Sequence, residues 1–248
     1  MNSFQQLFLA NLKIFYRNKQ GVFWTLLMPA AVYIALSVLP VGKAIIPSGN
    51  YSNYVLPGII AMTIMQTGIY GLAYWMVDLR TRGVIKRFLV TPLNIWEFIF
   101  GILASRIIVV IIEVITLTVL GIIVFHAQFA GNIFSILLIT ILGGSIFLLL
   151  GLLISNFANS YDAAAPITTA IGLPLIFLGN IFYPIEILPH VLQVVAKLLP
   201  ITYMADGLRQ AYLHPFNFAL IGKDILILAI WLAAILVLTL SVFKLKED

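Results

Sequence analysis

The chain has 248 residues, of which 62% are hydrophobic and 9% charged, whereas soluble domains carry about 25% charged residues; a soluble globule is excluded. Its 14 Lys and Arg against 9 Asp and Glu give a net charge of +5, an excess that a membrane protein uses to set topology rather than to bind nucleic acid. The absence of cysteine removes disulfides, thiolate zinc sites, iron–sulfur ligation and thiol nucleophiles together.

Lys13, Arg17 and Lys19 follow the first apolar residues instead of preceding them, so no cleavable signal peptide is expected. Phe4, Leu7, Phe8, Leu12 and Phe15 recur at helical spacing, which predicts an amphipathic helix within residues 1–20. It is too short and polar to span and is expected in the plane of the cytoplasmic interface; a helix packed on a soluble partner is the alternative. The first span is predicted from Val22 to Leu39, with Pro29 inside it. A turn-rich outer loop carrying Lys43 follows, and then a second span from Tyr54 to Val77. Thr63, Gln66, Thr67 and Tyr70 make one side of that span too polar for lipid.

Residues 78–97, DLRTRGVIKRFLVTPLNIWE, hold the densest cationic cluster and are expected to be cytoplasmic. The third span runs to Phe125 and starts either at Ile99, which buries Arg106, or at Ile107, which leaves Arg106 at the interface. The fourth, Ile133 to Ile154, has a packing face of Gly143, Gly144 and Gly151. The fifth, Ala163 to Phe182, contains Pro166 and Pro174 and is expected to bend.

Between Tyr183 and Phe218, Pro184, Pro189, Pro200 and Pro215 delimit two short amphipathic helices. In the first, Gln193 and Lys197 oppose the apolar residues; in the second, Asp206 and Arg209 form an i,i+3 pair. The sixth span runs from Ile225 to Phe243, with Lys223 and Asp224 just before it. With the N-terminus inside, Lys or Arg at 13, 17, 19, 80, 82, 86, 87, 244 and 246 are cytoplasmic and those at 43, 197, 209 and 223 are outside. Both termini are therefore expected in the cytoplasm. The fold class is an all-α polytopic membrane protein.

Neither Gly42-Lys43-Ala44 nor Gly222-Lys223-Asp224 can form a nucleotide phosphate loop, so the chain is not expected to hydrolyse ATP. His126, His190 and His214 are scattered, without metal-ligand spacing, and no Gly-x-Ser-x-Gly occurs. No catalytic residues and no metal are expected. Glu113 lies near the middle of a span, where a carboxylate costs about 2.5 to 3.5 kcal/mol. Arg106, two helical turns earlier, lies on nearly the same face. Glu113 is then part of a substrate path or proton relay, or else a structural ion pair or a protonated, hydrogen-bonded acid.

Within residues 79–97, Val84, Ile85, Phe88, Leu89 and Val90 stand among the cations, a pattern that positive-inside charge alone does not explain and that suits a helix receiving force from a soluble motor. Three stretches in this order carry a family resemblance: the N-terminal amphipathic helix; RGVIKRFLVTP, residues 82–92; and NIFYP at 180–184, followed by Leu188-Pro189, LPITY at 199–203 and Gly207-Leu208-Arg209. Over nearly its whole length the chain resembles the type-2 ABC exporter permeases.

The resemblance implies a single transmembrane domain over 1–248 in the cell membrane. A second permease copy or a homologous permease would pair with it, and two copies of a cytoplasmic ABC ATPase made as separate chains would bind ATP and Mg. It makes Arg82, Gly83, Lys86, Arg87, Phe88, Thr91 and Pro92 the coupling contact to the ATPase, and the N-terminal helix a connecting helix. It nominates Thr63, Gln66, Thr67, Tyr70, Thr168, Thr169 and Asn180 for the translocation path. Pro184, Pro189, Pro200, Tyr203 and Arg209 would belong to an external gate region. The implied activity is export of an amphiphilic drug, lipid or lipid-linked glycan by alternating access; a proton-coupled secondary transporter using Glu113 is the alternative.

Overall fold

In the computed structural model, residues 3–39, 45–46, 50–89 and 95–242 are described. The described residues are mostly helical and include no strand. α1 (Ser3–Arg17) is followed by α2 (Lys19–Val38) and α3 (Tyr51–Gln66). α3 runs directly into a π-helical turn, Thr67–Leu72, and on into α4 (Ala73–Thr81). Then come α5 (Val84–Leu89), α6 (Ile95–Phe125), α7 (Ile133–Ser155) and α8 (Tyr161–Leu178). A 3₁₀ turn (Ile185–Ile187), α9 (His190–Ala196), α10 (Pro200–Leu213) and α11 (Phe218–Val242) complete it.

Six elements are long and apolar enough to cross a membrane: α2, the α3–α4 unit, α6, α7, α8 and α11. α9 and α10 reach that length only together, across an 80° bend. Polar caps set several starts: Asn18 accepts from the Gly21 N–H (3.0 Å), Asn50 from Ser52 (3.1 Å), Asn132 from Phe134 (2.8 Å) and Ser160 from Ala163 (3.2 Å). Each satisfies a backbone donor that an apolar helix end would otherwise expose.

The core forms around the second span, which is 78% buried over its apolar window, against 17% for the first and last spans. Residues 55–65 are buried almost without interruption, with α2, α6, α7 and α10 around them. The α7 glycines permit the tightest of these packings: a Cβ at Gly151 would lie 2.1 Å from the Gly68 carbonyl oxygen, so the two backbones touch where α7 crosses the π turn.

Several elements differ from the sequence expectation. α1 also lies against α6, and Leu7 joins an apolar cluster with Met76, Ile99 and Leu152, while Leu9, Ile14 and Tyr16 stay exposed. The third span is one helix from Ile95, placing Arg106 well inside it; Glu97 occupies its first turn, where a carboxylate favours the helix start. The fifth span stops at Leu178, because Asn180 takes φ +58 and turns the chain away. The last begins at Phe218, where Asn217 accepts from the Ala219 N–H (2.9 Å), so Lys223 and Asp224 lie within the helix. α10 is not amphipathic in place: Arg209 is buried. α9 does expose Val191 and Val194, and the bend after it exposes Leu198.

Candidate functional site

Two adjoining cavities of about 370 and 230 Å³ form a cleft between α1, α2, the second span and α6, with Tyr161 of α8 at one end. Both are lined by Phe15, Thr25, Gly71, Tyr74 and Arg106. The larger reaches Asn11, Asn18, Trp75, Asp78, Arg82 and Ser105; the smaller reaches Thr63, Gln66, Thr67 and Tyr70. The cleft thus runs from the end of the second span that leads to α5 toward its middle.

Four of the seven nominated path residues, Thr63, Gln66, Thr67 and Tyr70, meet at the smaller cavity. The Thr63 hydroxyl donates to the Ile59 carbonyl (2.8 Å), and the Thr67 hydroxyl donates to Glu113 Oε1 (2.6 Å). Thr168 is buried one layer back, donating to the Ala164 carbonyl (2.9 Å) and sharing a hydrogen bond with Tyr74 (3.1 Å). Thr169 is exposed on the other side of α8. Asn180 belongs to a different cluster at the far end of the second span.

Glu113 and Arg106 do not form an ion pair. Glu113 is 1% exposed, bonded through Oε1 to Thr67, while Oε2 has no hydrogen-bond partner among the described residues. Its carboxyl holds the first residue of the π turn. The Arg106 guanidinium lies over the Trp75 ring, 5.1 Å from its centroid, and faces both cavities.

At the opposite end of the second span, Arg209 is the hub of a polar cluster. It donates to the Asn180 carbonyl (2.9 Å), to the Tyr54 carbonyl (3.3 Å) and to Asp206 (2.8 Å), and its guanidinium sits 3.8 Å from the Tyr54 ring centroid. Tyr54 donates to Asn180 Oδ1 (2.6 Å), and the Asn180 amide donates to Asp206. Burial raises the Asp206 carboxyl above its ordinary range, and Arg209 pulls it partly back. Of the other residues nominated for this region, Pro184, Pro189 and Pro200 stand at the starts of the 3₁₀ turn, α9 and α10. Tyr203 donates to the Lys197 carbonyl (2.6 Å), tying α10 to the bend before it.

The nominated coupling segment forms a compact unit. Arg82 closes α4 through its ion pair with Asp78 (2.7 Å), Gly83 turns the chain at φ +66, and the exposed Arg87 donates to the Arg82 carbonyl (3.2 Å). Lys86 and Phe88 are in α5, whereas Thr91 and Pro92 fall outside the described residues. Ile85, which sequence reasoning noticed but did not nominate, is 4% exposed among Met76, Ile99, Ile102 and Leu148 of the second, third and fourth spans. Its apolar character among cations was the available signal. Tyr74, Trp75, Ser105 and Tyr161 of the cleft were missed, since aromatic and small residues in apolar helices read as packing.

The chain resembles several curated proteins. Over 164 residues it is 27% identical to the inner membrane transport permease YadH of Escherichia coli, covering 66% of this chain and 64% of that protein. Over 179 residues it is 24% identical to the E. coli protein named "Probable multidrug ABC transporter permease YbhR", covering 72% and 49%. Nodulation protein J of Rhizobium leguminosarum bv. trifolii is 23% identical over 168 residues, covering 67% and 64%. The match spans less than two thirds of each of these relatives. The ABC-2 type transporter family matches residues 2–213, from α1 through α10 and thus across both the cleft and the α5 unit. The chain belongs to the ABC-2 type transporter family.

Proposed function

We propose that this chain is the cell-membrane subunit of an exporter, moving an amphiphilic molecule by alternating between two packings driven by a separate cytoplasmic ABC ATPase. Two ATPase copies, binding ATP and Mg, and a second permease complete the proposed assembly, with the termini of this chain in the cytoplasm. The observation that carries the reading is Ile85. A six-residue helix carrying Lys86 and Arg87 buries its Ile85 side chain where the second, third and fourth spans meet. A push on α5 is therefore delivered to three spans at once, while the exposed Arg87 is available to an acidic partner surface.

Two measurements test this reading. A tagged chain purified from its native membrane should bring with it, at near-equal amounts, a protein containing a nucleotide phosphate loop. Arg87→Ala with Phe88→Ala should insert normally yet lower stimulation of that ATPase; unchanged stimulation would refute the coupling assignment. The proton-coupled alternative predicts instead that purified chain transports under a pH gradient without ATP and that Glu113→Gln abolishes transport.

A further inference from the structure

We propose that the cleft between α1, α2, the π turn and α6 binds the anionic headgroup of a phosphate-bearing amphiphile, with the Arg106 guanidinium as the group that holds it. Arg106 lies in the interior of a spanning helix, where an uncompensated charge is expensive. Among the described residues it has no hydrogen-bond acceptor and no carboxylate in ion-pair distance; its guanidinium lies over the Trp75 ring at 5.1 Å. Glu113, two turns along the same helix, attracts it through space but directs Oε1 to Thr67. The other charged lining residues, Asp78 and Arg82, neutralise each other at 2.7 Å. The cleft thus presents one cation, Arg106, without a hydrogen-bonded or ion-paired acceptor among the described residues, and its five N–H donors are matched to phosphate oxygens.

The surroundings fit an amphiphile better than a free ion. Thr25, Gln66 and Tyr70 line the same cavity as Arg106. Trp24 lines the smaller cavity while 56% exposed, in a row with Phe23, Leu27 and Met28 on the outer side of α2. A ligand whose headgroup reached Arg106 would lay its chains along that apolar row. The larger volume, about 370 Å³, lies near the lower end of small-molecule pockets, which suits a headgroup with its chains outside.

The proposal deepens the permease reading by naming a ligand class, and rests on that reading only for the step from binding to transport. Its test needs no ATPase, so failure here leaves the motor-driven reading standing, and the reverse holds. With Trp24, Trp96 and Trp231 changed to Phe, Trp75 is the remaining tryptophan and reports from beside Arg106. Its quenching is titrated in nanodiscs with brominated phosphatidylglycerol or brominated phosphatidylcholine. The expected result is about tenfold tighter quenching by the anionic lipid, a difference typical of one charge-assisted hydrogen bond. Arg106→Lys should keep most of the preference and Arg106→Gln should abolish it.

Gly71→Leu provides a second variant that leaves the charge intact: a Cβ there meets only the Gln66 carbonyl oxygen, at 3.9 Å, so the added side chain enters the cleft without a backbone clash. It should reduce quenching by both lipids. Equal affinity for the two lipids, or a preference that survives both Arg106→Gln and Gly71→Leu, would overturn the proposal. Displacement of the probe by inorganic phosphate as effectively as by unlabelled phosphatidylglycerol would overturn the amphiphile as ligand.

Discussion

Replacing Arg209 by Ala isolates the polar hub that joins α3, α10 and the turn after α8. Three acceptors lose a donor at once: the Asn180 carbonyl at 2.9 Å, the Tyr54 carbonyl at 3.3 Å and Asp206 at 2.8 Å. The Asp206 side chain is 39% exposed, so its ion pair is discounted to under about 1 kcal/mol. The two carbonyl bonds from a charged donor and the contact with the Tyr54 ring carry the rest, for a total of about 4 kcal/mol. For a chain of this size that lowers the melting temperature by roughly 8–16 °C, read by size-exclusion fluorescence after heating in detergent. Arg209→Lys offers one ammonium for three separated acceptors and should recover less than half of the loss. Asp206→Asn, which leaves both carbonyl bonds in place, should shift melting by only a few degrees. If Arg209→Ala melted within 3 °C of the parent, or no lower than Asp206→Asn, the argument that buried guanidinium–carbonyl bonds outweigh the ion pair would be refuted.

Three further perturbations follow from the same geometry. Gly151→Ala places a methyl 2.1 Å from the Gly68 carbonyl oxygen and should cost about 1–3 kcal/mol, while Gly144→Ala, whose Cβ finds only ordinary contacts at 3.4–3.6 Å, should be near neutral; equal melting temperatures for the two would contradict the backbone contact at the π turn. Thr67→Val removes the donor to Glu113, and a double-mutant cycle with Glu113→Leu, which removes the acceptor, should give a coupling of about 1 kcal/mol in thermal unfolding, with zero coupling counting against their hydrogen bond. Because burial raises the Asp206 carboxyl in the folded chain, folding takes up a proton there: its contribution to stability is greatest in acid and declines as pH rises from the ordinary aspartate range through the raised value. A carboxylic acid infrared band lost in Asp206→Asn should therefore persist above the ordinary range and move higher still in Arg209→Ala; titration at or below the ordinary range would refute this.

What was legible in the sequence followed from local pattern. Apolar runs located six spans, because hydropathy is summed over the length of one helix. The polar side of the second span was legible for the same reason. The exceptions depend on distant partners. The π turn meets Glu113, which is 46 residues from Thr67, and Gly151 of α7. Arg209 reads as the polar face of an amphipathic helix until its acceptors are seen to come from Tyr54, 155 residues away, and from Asn180. Asn180 was noticed as a polar residue at the end of a span, yet its positive φ and its bonds to Tyr54 and Asp206 place it at the Arg209 hub instead of the cleft.

The second span therefore consists of two lengths held in different ways. α3 is fixed by α7 and α10 and by the Arg209 hub. α4 leads into α5, with Ile85 packed among residues of the second, third and fourth spans, and Arg80 binds the Ser155 carbonyl and Asn156 at the end of α7. A force applied at α5 and passing along the second span reaches α3 across Thr67–Leu72, where the π geometry already departs from the α-helical ladder. Glu113 pins one end of that turn, and Gly68 presses its backbone on Gly151. The cleft opens beside the same turn through Gly71. Substitutions that loosen the turn, such as Thr67→Val, should consequently alter the cleft and its response to α5 more than they alter the Arg209 hub. Substitutions at Arg209 should do the reverse, affecting the Tyr54 end of the second span while leaving Trp75 quenching unchanged.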